Sequence, residues 1–320
     1  MKIIKCGGSV ISDINYKKQL YKDIKTNKEK IVLIVSAFNN GPYSTNSLSN
    51  LLTNNFTYEM REQLITLGEI ISSIKICNEM LNEMIDVACI YKEEIGIYVK
   101  TSDKMEYIEK INSNIIKEKI SKHQVLIIPG FIAYNQDNKL VSLNKNGSDL
   151  TALIVAKMLE INEVYLYKNV LGLSSIDPKI NKKYKLYQTV SYALMEQITI
   201  HGSELLSLDA IRYAKENNIK INIQFYLNSH YKTTIDKFCK EKVIVFQIDN
   251  NDIYIDGYNN KEHIEKLLSV NEFNYEYVLP CNSFIKIVCN KDNSQKIFNY
   301  LYSLFLKGEL QWFFISYKPR

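Results

Sequence analysis

Arginine is almost missing from this chain. Of 40 basic residues only Arg61, Arg212 and Arg320 are arginines, while Lys, Asn, Ile and Tyr abound. The bias runs along the whole length, so a lysine where a pattern has arginine says little by itself. Paired cysteines are missing too. Cys6, Cys77, Cys89, Cys239, Cys281 and Cys289 are scattered with no CxxC spacing. Met1 leads directly into a short β-like run, so no signal peptide is expected and the thiols read as reduced, in a cytoplasm. His123, His201, His230 and His263 form no metal-spaced set, which argues against a zinc site. No apolar run reaches membrane-spanning length. The net charge of +5 gathers into no basic stripe interleaved with aromatics. Neither a membrane nor a nucleic acid is therefore an expected partner.

What is present fits an ordinary globular protein. The 320 residues are 46% hydrophobic and 23% charged, enough for one large or two ordinary domains. The most informative stretch is 124–156. Residues 124–129 read as a buried strand, followed by a turn at Gly130 and a polar segment. Asn146-Gly147-Ser148-Asp149 then stands at the mouth of a helix whose Leu150, Leu153, Ile154 and Met158 share one face. Backbone N–H groups, a hydroxyl and a carboxylate meet there, which suits an anionic substrate, as it also suits a simple capped loop.

The remaining elements alternate. KIIKC (2–6) is a strand running into Gly7-Gly8-Ser9 and a polar helix over 16–25, and Lys5 lies at the strand end beside a possible phosphate nest. The continuous apolar run 30–36 predicts a strand buried on both faces, opening into a polar loop where ligands of open α/β sheets lie. A long helix over 57–84 carries Gly68-Glu69 in its interior, either as a close approach with a site carboxylate or as a packing glycine beside a solvated Glu. Strands are expected at 85–91 and 95–99, a charged helix over 103–122, and strands at 163–168 and 219–224 separated by helices at 191–198 and 205–216. The texture changes after the polar stretch 228–240. A hairpin (242–247 with 252–255), a helix (262–268), strands at 275–279 and 284–289, a helix (294–305) and a last strand (311–316) suggest a small ferredoxin-like unit.

In order and spacing these motifs resemble the aspartokinases of the amino acid kinase family. The residues are Lys5-Cys6-Gly7-Gly8-Ser9, Val35-Ser36-Ala37 with Thr45, Gly68-Glu69, Pro129–Ala133, Leu143–Ala152, and Asn169–Gly172 with Asp177-Pro178-Lys179. The resemblance covers about 1–234. It implies an amino acid kinase catalytic domain over 1–234, a three-layer αβα sandwich with a mostly parallel sheet. Over 240–320 it implies a small α+β, ACT-like regulatory or dimerisation domain.

The implied activity is ATP-dependent, Mg2+-assisted phosphorylation of the L-aspartate β-carboxylate, first step of aspartate-family amino-acid biosynthesis, in a homodimer. Lys5 and Asp149 would be catalytic, Lys5, Gly7, Gly8 and Ser9 holding the transferring phosphoryl group. Ser36, Thr45, Glu69, Lys145 and Ser148 would hold the substrate, Glu69 taking its ammonium group. Asn169, Asp177 and Lys179 would lie by the nucleotide. Two departures set alternatives. Lys145 stands for the arginine that clamps the substrate carboxylate, keeping the charge but not the fork, with Asn144 and Asn146 for its flanking glycines. Glu204 stands for a lysine expected near the ATP phosphates, where a carboxylate repels unless Lys179 or Lys182 substitutes. A kinase for another small amino-acid carboxylate, or a non-catalytic binding subunit, are the alternatives.

Overall fold

The protein is represented by a computed structural model that describes residues 1–102, 105–143 and 147–310. They form two compact units. Met1–Gly172 joins Leu206–Lys237, and Leu173–Leu205 joins the residues from Phe238 on.

The first unit is built on a mostly parallel sheet. Lys2–Cys6 lies in its middle, between Ile31–Val35 on one side and Glu163–Lys168 on the other. Val125–Pro129 and then Val87–Cys89 extend the first side. Lys220–Phe225 extends the second, and antiparallel Lys232–Asp236 follows it. Every residue of Ile31–Val35 and Val125–Pro129 is buried, as continuous apolar runs require of strands covered on both faces.

Alternation divides the side chains. Ile4, Cys6, Leu33, Val35 and Ile127 pack with Leu20, Ile24, Ile76 and Met80 of the helices Ile14–Asn27 and Tyr58–Asn82. Lys5, one residue out of step, faces away from that core. Its face is where the almost wholly buried helix Gly147–Met158 packs, against Lys2–Cys6 and its two neighbours. The register sets Cys6 beside Val35 and Tyr167, and Val35 beside Pro129. The carboxyl ends of the central strands therefore finish together.

A second sheet in this unit has the strand order Met105–Ile111, Ile97–Ser102, Ile132–Tyr134, Leu140–Ser142. This corrects the helix expected over 103–122. Met105–Ile111 is a strand, and only Asn114–Lys122 is helical. The charge pattern suggested a helix throughout. Antiparallel pairing with Ile97–Ser102 satisfies the backbone instead, closed by the Asn112 amide on the Gly96 carbonyl at 2.8 Å. The polar segments after Gly130 and after residue 228 also hold strands, Ile132–Tyr134 paired with Leu140–Ser142, and Lys232–Asp236.

The second unit carries an antiparallel sheet in the order Val245–Asp249, Asp252–Asp256, Phe284–Val288, Tyr277–Pro280. Asn250 and Asn251 join the first pair with φ of 49° and 74°, the two positive values a tight hairpin turn demands. The helices Lys261–Val270 and Lys291–Leu306 bury Ile264, Leu268, Phe298 and Leu301 with Phe246, Ile255 and Ile287 of the sheet. The arrangement fits an ACT-like unit. The strand expected at 311–316 lies outside the described residues. No helix among the described residues is long and apolar enough to cross a membrane.

Candidate active site

Lys5 and Asp149 meet because the sheet register and one helix position bring them together. Lys5 is the fourth residue of its strand, and Asp149 stands in the first turn of Gly147–Met158. The turn before that helix is fixed from several sides. The Gly130 amide donates to the Val35 carbonyl at 2.9 Å, and the Phe131 amide to Thr151 Oγ1 at 3.0 Å. Left-handed backbone falls on Phe131 (φ 70°), one residue after the expected glycine turn. Gly130 is needed for space: a Cβ there would stand 2.6 Å from Ser148 Cβ.

Asp149 is fully buried and Lys5 is 8% exposed. Lys5 Nζ lies 2.8 Å from Asp149 Oδ1, and Lys168 Nζ lies 2.8 Å from Oδ2. Burial alone would raise the Asp149 carboxyl, but the Lys168 and Lys5 ammonium groups overcome it and hold the carboxyl down to about 2. Burial pulls the Lys168 ammonium below its usual range, against the attraction of Asp149 and with repulsion from Lys5 added. One carboxylate thus fixes two ammonium groups side by side, with a formal surplus of positive charge. That suits an anion.

The glycines after Lys5 keep the backbone close to it. A Cβ on Gly7 would stand 3.9 Å from Lys5 Nζ, and one on Gly8 would stand 2.2 Å from the Ala37 carbonyl oxygen. Gly8 therefore lets the turn pack against the loop that follows Ile31–Val35. Ser9 is half-buried in the short helix Gly8–Ser12.

Glu69 comes to the same loop from the long helix Tyr58–Asn82. It is 4% exposed, so the solvated alternative is excluded. Its Oε1 accepts from the Ala37 amide at 3.2 Å, and the next amide, of Phe38, donates to Ser72 Oγ at 3.0 Å. Gly68 makes the approach possible, since a Cβ there would meet the Tyr43 carbonyl oxygen at 2.7 Å. Glu69 Oε2 is buried with no hydrogen-bond partner among the described residues. Burial pushes this carboxyl up to about 7, offset in part by the Ala37 amide and by Lys5. A buried carboxylate oxygen with no donor among the described residues, near Lys5 and costly to ionise, suits a cationic group.

The other expected residues fall variously. Ser148 is buried at the helix start beside Asp149, and Ser36 is half-buried at the strand end, its amide donating to the Cys6 carbonyl at 3.2 Å. Thr45 opens the helix Thr45–Ser49, but Ser44 caps it, accepting from the Ser47 amide at 3.1 Å. Asn169 is exposed, directly after Lys168. Asp177 and Lys179 belong to the second unit, on an exposed turn where Asp177 accepts from the Lys179 amide at 2.8 Å. Glu204 is exposed in that unit as well. Lys145, with Asn144 and Asn146, lies outside the described residues. Lys168 was missed by the sequence reading. The available signal was a lysine closing a strand of tyrosines and aliphatics, immediately before a motif residue.

Comparison with known proteins gives this geometry a setting. The chain is 24% identical over 227 residues to the aspartokinase of Rickettsia bellii, matching 69% of this chain and 56% of that protein. It is 23% identical over 253 residues to aspartokinase 1 of Bacillus subtilis, 76% of this chain and 63% of that protein. The chain thus spans between half and two thirds of the length of these curated relatives. Its fold aligns with E. coli aspartokinase III, solved with aspartate and ADP, at a TM-score of 0.64, 12% identity, 95% of this chain and 84% of that one. It also aligns with the UMP kinase of Ureaplasma parvum, at a TM-score of 0.51, 17% identity, 73% of this chain and 97% of that one. The model of the amino acid kinase family matches residues 1–224, and this chain belongs to that family.

Proposed function

We propose that this chain phosphorylates a small amino-acid carboxylate with ATP, and that the acceptor is the L-aspartate β-carboxylate. The observation that carries the reading is the pairing of Lys5 and Lys168 on the buried Asp149 at the carboxyl edge of the sheet. The named aspartokinase relatives support it, as does the buried Glu69 oxygen without a donor, which suits a substrate ammonium group.

The chemistry asks for little covalent help. An oxygen of the acceptor carboxylate, already ionised, bonds to the γ-phosphorus. The bond from that phosphorus to the bridging oxygen breaks, and ADP leaves with the electron pair. No proton needs removing, so Asp149 need not act as a base, and a carboxyl held near 2 would be a poor one. Its role is to hold Lys5 where charge develops on the phosphoryl oxygens. Gly7 and Gly8 leave the backbone open beside Lys5. Among the described residues no group of acidic, His or Cys side chains comes together to hold a metal by itself. Mg2+ would arrive on the nucleotide phosphates, as it commonly does, and neutralise part of their charge.

A homodimer belongs to this reading. Met60, Leu67, Ile74 and Leu81 recur every seven residues on the Tyr58–Asn82 helix and are all exposed. A two-fold axis between Ile70 and Ile71 would set Met60 against Leu81 and Leu67 against Ile74. Sedimentation at micromolar concentration should give a dimer that Leu67→Glu dissociates. A wild-type monomer under those conditions would remove this part.

One observation favours a second reading. Glu204 in place of an expected lysine suits a non-catalytic binding subunit. An ATP-dependent hydroxamate assay with aspartate, glutamate and other amino-acid carboxylates separates the cases. Product with aspartate is expected. Product only with another acid moves the reading to a related kinase, and none from folded protein favours the binding subunit.

A further inference from the structure

Phosphoryl transfer between two anions needs more than one positive group. The resemblance to aspartokinases expects a second lysine where this chain has Glu204. We propose that Lys168, the last residue of the Glu163–Lys168 strand, is the second phosphate-binding cation of this chain. The proposal rests on the nucleotide-phosphate part of the reading above.

Position supports it first. Tyr167 lies beside Cys6 in the sheet, so Lys168 emerges one step further along the edge where Lys5 and Gly7 stand. Hold on the side chain supports it next. Lys168 Nζ donates to Asp149 Oδ2 at 2.8 Å, while Lys5 Nζ lies 2.8 Å from the other oxygen of the same carboxylate. A single lysine would suffice to neutralise Asp149. Two ammonium groups crowded on one buried carboxylate repel each other, and a phosphate bound against both relieves that repulsion. The other candidates, Lys179 and Lys182, are exposed, whereas Lys168 is held on a buried carboxylate.

The test is phosphate-specific nucleotide binding by calorimetry, with ATP, ADP and adenosine as probes. Lys168→Met should weaken ATP and ADP at least tenfold and leave adenosine within twofold, while Lys168→Arg retains most ATP affinity. Lys18→Met, a surface control on the helix Ile14–Asn27, should bind all three as wild type does. Unchanged ATP affinity in folded Lys168→Met overturns the proposal. If that variant does not fold, wild-type protein labelled with 13C at lysine Cε gives the answer. Saturating ADP must shift the Lys168 signal, and an unmoved signal overturns the proposal.

The two levels of inference separate cleanly. If Lys168→Met loses ATP affinity but no acid is phosphorylated by wild type, the kinase reading falls and Lys168 stands. If Lys168→Met turns over aspartate with unchanged kcat and KM for ATP, Lys168 falls and the kinase reading stands.

Discussion

Replacing Asp149 with Asn is expected to slow phosphoryl transfer severely and to destabilise the fold. Buried Lys5 and half-buried Lys168 would then face each other with no anion between them. Removing one member of a buried charge network typically costs about 3–5 kcal/mol, because the remaining charges stay uncompensated. For a unit of this size the thermal midpoint should drop on the order of 10 °C. Turnover should fall by roughly 10²–10³-fold or more, the loss seen when a preorganised electrostatic group is removed.

The double variant Asp149→Asn/Lys168→Met separates the two effects. It deletes the repelling partner, so part of the lost stability should return while activity does not. Such non-additivity marks residues acting as one unit. The pH dependence follows with its sign. The Asp149 carboxyl is depressed from 3.8 to about 2, so its stabilising contribution is present above about 4 and lost as pH falls through about 2. Wild-type stability with undiminished turnover in Asp149→Asn would defeat the assignment.

Glu69→Gln should move stability and substrate binding in opposite directions. The Glu69 carboxyl is raised from 4.5 to about 7, so the folded protein binds its proton more tightly than the unfolded chain does. Its contribution to stability is fully present below about 4.5 and is lost as pH rises through about 7. The difference corresponds to roughly 3 kcal/mol. Gln is neutral throughout but leaves a buried amide group to satisfy, which offsets part of the gain. The variant should therefore be more stable than wild type by about 1–2 kcal/mol at pH 8, with little difference at pH 5.

Substrate affinity should go the other way. A charge-assisted hydrogen bond to the ammonium group is worth about 1.5–3 kcal/mol, so KM for the amino acid should rise roughly 10–100-fold with kcat less affected. In wild type, binding should weaken as pH falls below about 7, because the carboxyl that meets the ammonium becomes protonated. In Glu69→Gln that dependence should flatten. Melting curves at pH 5 and 8 and amino-acid titrations across pH 5–8 measure both. A Glu69→Gln protein with wild-type KM, or one destabilised equally at both pH values, would show that Glu69 serves only packing.

Much of the candidate site was legible because its signals are contiguous. Lys5 through Ser9 and Gly147 through Asp149 each place a glycine, a hydroxyl and a charge within a few residues of an element's end. Those ends are readable from apolar runs such as IVLIV and from the buried face of ALIVA. Gly68-Glu69 was legible as a pair of alternatives, since a helix-internal glycine marks close approach without saying to what. The choice needed the loop from Ala37 to Tyr43, which lies against Gly68. The helix expected over 103–122 failed for the complementary reason. Its first half has charges at helical spacing, and only a partner strand at Ile97–Ser102 reveals which hydrogen bonds win.

By itself, then, the sequence determined the alternation of strand and helix in the first unit, the burial of its central strands, and the residue types at their carboxyl ends. Apolar periodicity and glycine placement act locally, so they are written in order along the chain. The pairing of Lys168 with Asp149, and the burial that lifts Glu69 while Asp149 stays ionised, were decided only by the tertiary structure. Strand register and the packing of one helix bring residues 5, 149 and 168 to one edge, and a carboxylate's charge state depends on which neighbours replace the water it has lost.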